Sequence, residues 1–141
     1  MRPRYFLIMM PFLGRKIRLI EMTPPHEKTT RIAFLGLGVM GYPMAGHLKT
    51  AGYHVTVYNR TNSKSVAWVN QYGGSLGETP AEAATGADLV MACVGNDDDL
   101  RSVCLGSDGA FSGMSHGSKF VDHTTVSAAV TFELYEIAKS Q

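Results

Sequence analysis

The stretch Arg31-Ile-Ala-Phe-Leu-Gly36-Leu-Gly38-Val-Met-Gly41 limits what this chain can fold into more than any other. A short apolar run leads straight into G-x-G-x-x-G, and a helical pattern, Tyr42-Pro-Met-Ala-Gly-His-Leu48, follows at once. Strand, tight glycine turn and helix N-terminus, in that order, form the opening corner of a dinucleotide-binding βαβ unit. Gly36 permits the sharp turn out of the strand, Gly38 lets a pyrophosphate come close to the backbone, and Gly41 lets helix lie against strand. The helix start adds unpaired N–H groups and the positive end of its dipole, both suited to an anion. With 15 glycines in the chain, a bare motif match carries little weight. The correct element on each side gives it force.

The next segment refines the ligand. Ala51-Gly52-Tyr53 reads as a helix stop, and His54-Val-Thr-Val-Tyr58 alternates as a second strand. At the end of that strand a NAD site usually carries Asp or Glu to hold the ribose 2′-hydroxyl. This chain has Asn59, then Arg60 and Thr61. A carboxylate repels a 2′-phosphate, whereas Asn and Arg receive one through charge-assisted hydrogen bonds. The expected cofactor is therefore NADP. Standing alone, Arg60 would be a solvated cation at a strand end; its place after the glycine loop favours the phosphate.

Length and composition limit the alternatives. The chain has 141 residues, one domain's worth, with 45% apolar and 18% charged residues, enough to build a buried core. A net charge of +1 gives no electrostatic footprint for nucleic acid or an anionic membrane. Cys93 and Cys104 lack metal-ligand spacing and read as small core residues in a reducing compartment, hence the cytoplasm. Residues 1–30 read differently from the rest. Tyr5-Phe-Leu-Ile-Met-Met-Pro-Phe-Leu13 between basic flanks is too short for a bilayer span of about 20 residues, and Pro11 and the missing cleavage site argue against a signal peptide. We expect an N-terminal extension, disordered or loosely attached, with translation starting at Met22; N-terminal sequencing of native protein tests that.

From Arg31 onward strands alternate with helices, which predicts a Rossmann-type doubly wound parallel sheet over residues 31–141. Strands are expected near Arg31–Leu35, His54–Tyr58, Leu76, Asp88–Val94 and Lys119–Asp122. Helices are expected over Val39–Ala51 with Met40, Met44 and Leu48 on one face, and over Ser63–Tyr72 with Val66, Val69 and Tyr72 stacked. Others are expected from Pro80 with Thr79 as cap, over Asp97–Leu105, and over Ser127–Ser140. Asp97, Asp98 and Asp99 suit the positive end of a helix better than a metal ion, on which neighbouring helical residues do not converge. In such a sheet ligands sit beyond the carboxyl ends of the strands. That selects the loops Gly36–Gly41, Asn59–Thr61, Val94–Asn96 and Asp122–Ser127. The last is rich in hydroxyls; alone it also reads as a turn capping the following helix.

Three motifs together resemble the β-hydroxyacid dehydrogenase family, which includes 3-hydroxyisobutyrate dehydrogenase and the tartronate semialdehyde and glyoxylate reductases. They are Gly36-Leu-Gly-Val-Met-Gly41 with Met44, Ala45 and Leu48; Val57-Tyr-Asn-Arg-Thr61; and Asp122-His-Thr-Thr-Val-Ser127. The resemblance covers Arg31 to the last residue. It implies an oxidoreductase moving a hydride between NADP(H) and a small 3-hydroxy or 2-hydroxy acid, or its semialdehyde. It implies that Gly36, Leu37, Gly38, Val39, Met40 and Gly41 cradle the pyrophosphate, and that Asn59, Arg60 and Thr61 hold the 2′-phosphate. Val94 and Gly95 would line the path to the nicotinamide, Thr125 would touch its side of the cofactor, and Thr124 would meet the substrate carboxylate. Thr124 stands where many relatives have Ser, which keeps the hydroxyl.

Family members continue into a helical second domain whose first helix carries the catalytic Lys, and which commonly makes the contacts of a homo-oligomer. The resemblance thus implies a sheet truncated before that domain and no catalytic residue in these 141. Lys139 is too early and on the wrong element, and His123 is the other acid/base candidate. Two further readings stay open: an imine reductase-type domain, which shares the glycine loop and the Asn-Arg-Thr strand end, and a non-catalytic NADP-binding module or truncated gene product.

Overall fold

In a computed structural model, which describes residues 29–141, the chain forms eleven elements in the order β1 (Arg31–Leu35), α1 (Gly41–Thr50), β2 (His54–Tyr58), α2 (Asn62–Tyr72), β3 (Ser75–Leu76), α3 (Pro80–Ala84), β4 (Leu89–Ala92), α4 (Asp97–Cys104), α5 (Ala110–Gly113), β5 (Lys119–Asp122) and α6 (Ala128–Lys139). The Met22 start and most of the expected extension lie outside the described residues.

The strands make one parallel sheet in the order β3-β2-β1-β4-β5. The chain winds outward from β1 to β3, then returns to the other side of β1, so strand order reverses between β1 and β4. A crevice at the carboxyl end of such a switch point is where open α/β sheets bind ligands. The register brings the strand ends level. Leu35 pairs with Tyr58 on one side and Ala92 on the other, and Ala92 pairs with Asp122. Four loops therefore leave the sheet along one rim.

Alternation along the strands feeds two cores, as a doubly wound sheet requires. Ala33, Leu35, Val90 and Ala92 face a cluster with Leu100, Val103, Cys104, Phe111, Val130 and Leu134 from α4, α5 and α6. Phe34, Val55 and Val57 face the opposite cluster with Ala45 of α1 and Trp68 of α2. Two helix faces differ from expectation. In α2 the buried residues are Ser65 and Trp68, while Val66 is exposed. Trp68 is fully buried, and its indole N–H donates to the Tyr42 carbonyl at 3.2 Å, so one large ring fixes α2 against α1. In α1, Gly41 and Ala45 rather than Met40 face the sheet, because only small residues allow so close an approach. Thr79, Asn96 and Ser127 cap α3, α4 and α6 through their side chains.

The cysteines divide. Cys104 is fully buried in the α4 core, and burial, with a smaller push from Asp122, raises its thiol to about 12. Cys93 is half-buried and is raised for the same reasons in the same order. The native state thus binds the Cys104 proton more tightly than the unfolded chain, whose thiol titrates near 9.0. This contribution to stability is complete below pH 9 and is lost as pH rises from there towards 12. The urea midpoint is expected to fall across that window, and Cys104→Ser should remove part of the fall; a midpoint equally steep in both proteins would refute the assignment.

Candidate functional site

The rim above the switch point carries a cleft of about 410 Å³. Gly36, Gly38, Val39, Met40 and Gly41 line it from the first loop, Asn59, Arg60 and Thr61 from the second, and Val94 and Gly95 from the third. Residues from three separate segments thus meet in one place. Leu37 is instead buried beneath the loop, and Thr124 and Thr125 lie outside the lining.

The three glycines of the motif do three different jobs. Gly36 has φ +97°, and a Cβ there would fall 2.3 Å from the Cys93 carbonyl oxygen. A Cβ on Gly41 would fall 2.0 Å from the Gly36 carbonyl oxygen, so helix and loop are in backbone contact. Gly38 is under no such pressure: a Cβ there meets nothing within 4 Å. Packing does not ask for glycine at 38, and its absence of a side chain leaves the loop backbone open to close approach. No hydrogen bond among the described residues uses the N–H groups of Gly38, Val39 or Met40. The first turn of α1 holds no acidic residue. Open donors, the positive helix end and an uncluttered backbone fit the pyrophosphate of a dinucleotide.

Asn59 takes a role that sequence did not suggest. Its Oδ1 accepts the Leu37 N–H at 2.9 Å and its Nδ2 donates to the Thr61 carbonyl at 3.1 Å. The side chain therefore ties the end of β2 to the glycine loop. Arg60 projects with 83% of its side chain exposed and donates to Asp99 Oδ1 at 2.9 Å. Lys64, in the first turn of α2, lines the same cleft and brings a second cation. Tyr58, Cys93, Asp99, Ser102 and Val103 complete the lining. These six were missed because nothing local marks them.

The fourth loop reaches the site through hydrogen bonds. Thr124 Oγ1 accepts the Val94 N–H at 3.0 Å, and the Thr124 N–H donates to Asp122 Oδ1 at 2.8 Å. Asp97 accepts from both the N–H and the hydroxyl of Ser127, and these bonds hold its carboxyl below the usual range. The three aspartates of α4 thus serve different partners: Asp97 binds Ser127, Asp98 pairs with Arg101, and Asp99 pairs with Arg60. Lys139 stands over the Tyr135 ring in the last turn of α6, about 18 Å along the helix from Ser127. His123 is exposed and its N–H donates to the Ala92 carbonyl at 2.8 Å.

Strand order, glycine corner and cleft define a nucleotide-binding α/β domain. Comparison with known proteins narrows that class. Residues 31–141 match the family described as the NAD-binding domain of 6-phosphogluconate dehydrogenase, and the chain belongs to that family. It is 59% identical over 104 residues to an uncharacterized oxidoreductase of Shewanella frigidimarina, covering 74% of this chain and 36% of that protein. It is 39% identical over 110 residues to a probable mitochondrial 3-hydroxyisobutyrate dehydrogenase-like protein of Arabidopsis thaliana, covering 78% and 36%. A 3-hydroxyisobutyrate dehydrogenase of Mycobacterium tuberculosis, solved with L-serine, superposes with a TM-score of 0.71 at 28% identity, over 79% of this chain and 37% of that one. An imine reductase of Pseudomonas superposes with a TM-score of 0.65 at 26% identity, over 80% and 38%. The chain spans little more than a third of each of these proteins. The resemblance to the β-hydroxyacid dehydrogenases holds, and the domain is one that binds a pyridine nucleotide in an oxidoreductase family. No helix among the described residues is long and apolar enough to cross a membrane.

Proposed function

We propose that this chain binds NADP in preference to NAD and is the nucleotide-binding domain, residues 31–141, of an oxidoreductase acting on a small 3-hydroxy or 2-hydroxy acid or its semialdehyde. The observation that carries the reading is the end of β2. Neither Asp nor Glu ends the strand, the Asn59 amide is engaged with the glycine loop, and Arg60 and Lys64 bring two cations to a cleft in which Asp99 is the one carboxylate of the lining. A 2′-phosphate meets complementary charge there, and a bare ribose gains less.

Gly38, Val39 and Met40 would give the pyrophosphate their N–H groups, with Gly36 and Gly41 shaping the corner and Leu37 anchoring it from beneath. Arg60 and Thr61 would hold the 2′-phosphate. Val94 and Gly95 would carry the dinucleotide towards the β4 side, where Thr125 would border the nicotinamide. When bound, the cofactor supplies or accepts the hydride. Thr124 would anchor the substrate carboxylate. Its oxygen already accepts the Val94 N–H, which leaves the hydroxyl proton to donate. The place of Lys139 far along α6 speaks against it as the proton-transfer residue. The Pseudomonas likeness keeps an imine as the second reading; the hydroxyl-rich Asp122–Ser127 loop favours an acid. Two free cysteines suit the cytoplasm.

Thermal unfolding with each cofactor tests the reading. NADP at a hundredfold excess over its Kd should stabilise the chain by about 2.7 kcal/mol, and NAD at the same concentration by much less. Equal shifts, or none, would overturn it.

A further inference from the structure

The cation that best fits a 2′-phosphate is already engaged. Arg60 leaves the end of β2, and its guanidinium meets Asp99 in the first turn of α4, which follows β4. Strands β2 and β4 flank β1 on opposite sides, so the pair bridges two strand spacings, about 10 Å. Both residues line the cleft, and the glycine corner lies between the strands they come from. A single side-chain contact thus straps the mouth through which a dinucleotide must pass.

The neighbourhood is shaped around that carboxylate. Asn96 caps α4 by accepting the Asp99 N–H at 2.9 Å, which fixes the backbone from which the side chain reaches out. A Cβ on Gly95 would fall 2.7 Å from Asp99 Oδ2. Any larger residue at 95 would push the carboxylate aside, so glycine leaves it room. Asp98 and Asp97 satisfy other partners and do not compete for Arg60.

We propose that Asp99 is a specificity-determining residue: by holding Arg60 in a strap across the cleft, it competes with the 2′-phosphate of NADP and sets how strongly the site prefers NADP over NAD. The proposal rests on the 2′-phosphate reading of Arg60. The competition has two parts. Arg60 must exchange a carboxylate for a phosphate, and the displaced Asp99 then remains in the cleft as a like charge. NAD has no phosphate at that position and requires no exchange. Because Arg60 is mostly exposed, the pair is weak and the exchange is accessible. Asp99 thus trims NADP affinity and leaves NAD affinity unchanged.

Calorimetric titration of the full chain with NADP and with NAD tests this in four proteins: the parent, Asp99→Asn, Arg60→Ala and the double variant. Asn keeps the shape of Asp, and Asp97 and Asp98 still serve the α4 dipole, so the fold should persist; Asp99→Ser, with unfolding followed by circular dichroism, provides a second variant. Asp99→Asn should tighten NADP roughly three- to tenfold and move NAD less than about twofold. In the Arg60→Ala background the same change should give a smaller gain than in the parent, since the strap is gone and only the like charge of Asp99 remains to be removed. If NADP binding is unchanged or weaker in Asp99→Asn and Asp99→Ser while Arg60→Ala still costs NADP affinity, the strap is wrong and the phosphate reading stands. Equal tightening for both cofactors also overturns the strap. If Arg60→Ala leaves NADP binding intact, the phosphate reading fails and takes the strap with it.

Discussion

Replacing Gly36 with alanine should destabilise the domain by about 3 kcal/mol or more, which lowers Tm by roughly 15 °C in a domain of this size. Two costs add. At φ +97° an L-residue is strained by about 1–2 kcal/mol. The new methyl also meets the Cys93 carbonyl oxygen at 2.3 Å and Val94 Cγ1 at 2.9 Å. The carbonyl has little freedom to retreat, because the Cys93 N–H donates to Leu35 at 2.9 Å and ties β4 to β1. The Gly36 N–H likewise donates to Tyr58 at 2.8 Å, so moving the glycine instead loosens β1 from β2. Either response opens the sheet at the switch point. Gly38→Ala is the matched control. Its Cβ meets nothing and its φ lies outside the left-handed region, so stability should change by less than about 0.5 kcal/mol. If Gly38 faces a pyrophosphate, that variant loses NADP binding while keeping its Tm. Chemical denaturation and NADP titration of both variants separate packing from ligand approach. A stable Gly36→Ala protein would contradict the account of the corner.

The same contrast shows why so much of the fold was legible in the sequence. Strands β1, β2 and β5 fall where the apolar residues and the turn residues place them, most firmly β1, which is central and buried over four of its five residues. The helix cap at Thr79 is readable because the donor and the oxygen that satisfies it are three residues apart. Longer links left no trace. Asn59 reaches Leu37 over 22 residues, Thr124 reaches Val94 over 30, and Arg60 reaches Asp99 over 39. Each depends on which strands become neighbours, and no local pattern encodes that. In α2 the buried stripe is Ser65 and Trp68, and a polar Ser65 hides it, so Val66 took the weight in the periodicity. The four residues of α5 are too few to show a period. Lys64 reads as an ordinary solvated helix residue until the cleft forms beside it.

Arg60→Ala should weaken NADP binding by about ten- to a hundredfold and change NAD binding less than about threefold. The range follows from hydrogen bonds to a charged partner, worth about 1.5–3 kcal/mol when one donor set is removed. Lys64 remains in the cleft and limits the loss. The fold should not notice. Arg60 is largely exposed, its pair with Asp99 is a surface ion pair, and such pairs contribute roughly 0–1 kcal/mol before solvent screening is counted. Arg60→Lys separates charge from shape. A compact ammonium keeps the attraction and loses the planar fork, so an affinity between those of the parent and Arg60→Ala is expected. Salt adds an independent check, since an exposed cation acting on a phosphate is screened within about 10 Å at 0.1 M. The NADP affinity of the parent should therefore fall with ionic strength more steeply than that of Arg60→Ala, while NAD affinity changes alike in both. Parallel salt dependence for NADP in the two proteins would mean that the guanidinium never meets the phosphate, whatever the single-condition affinities show.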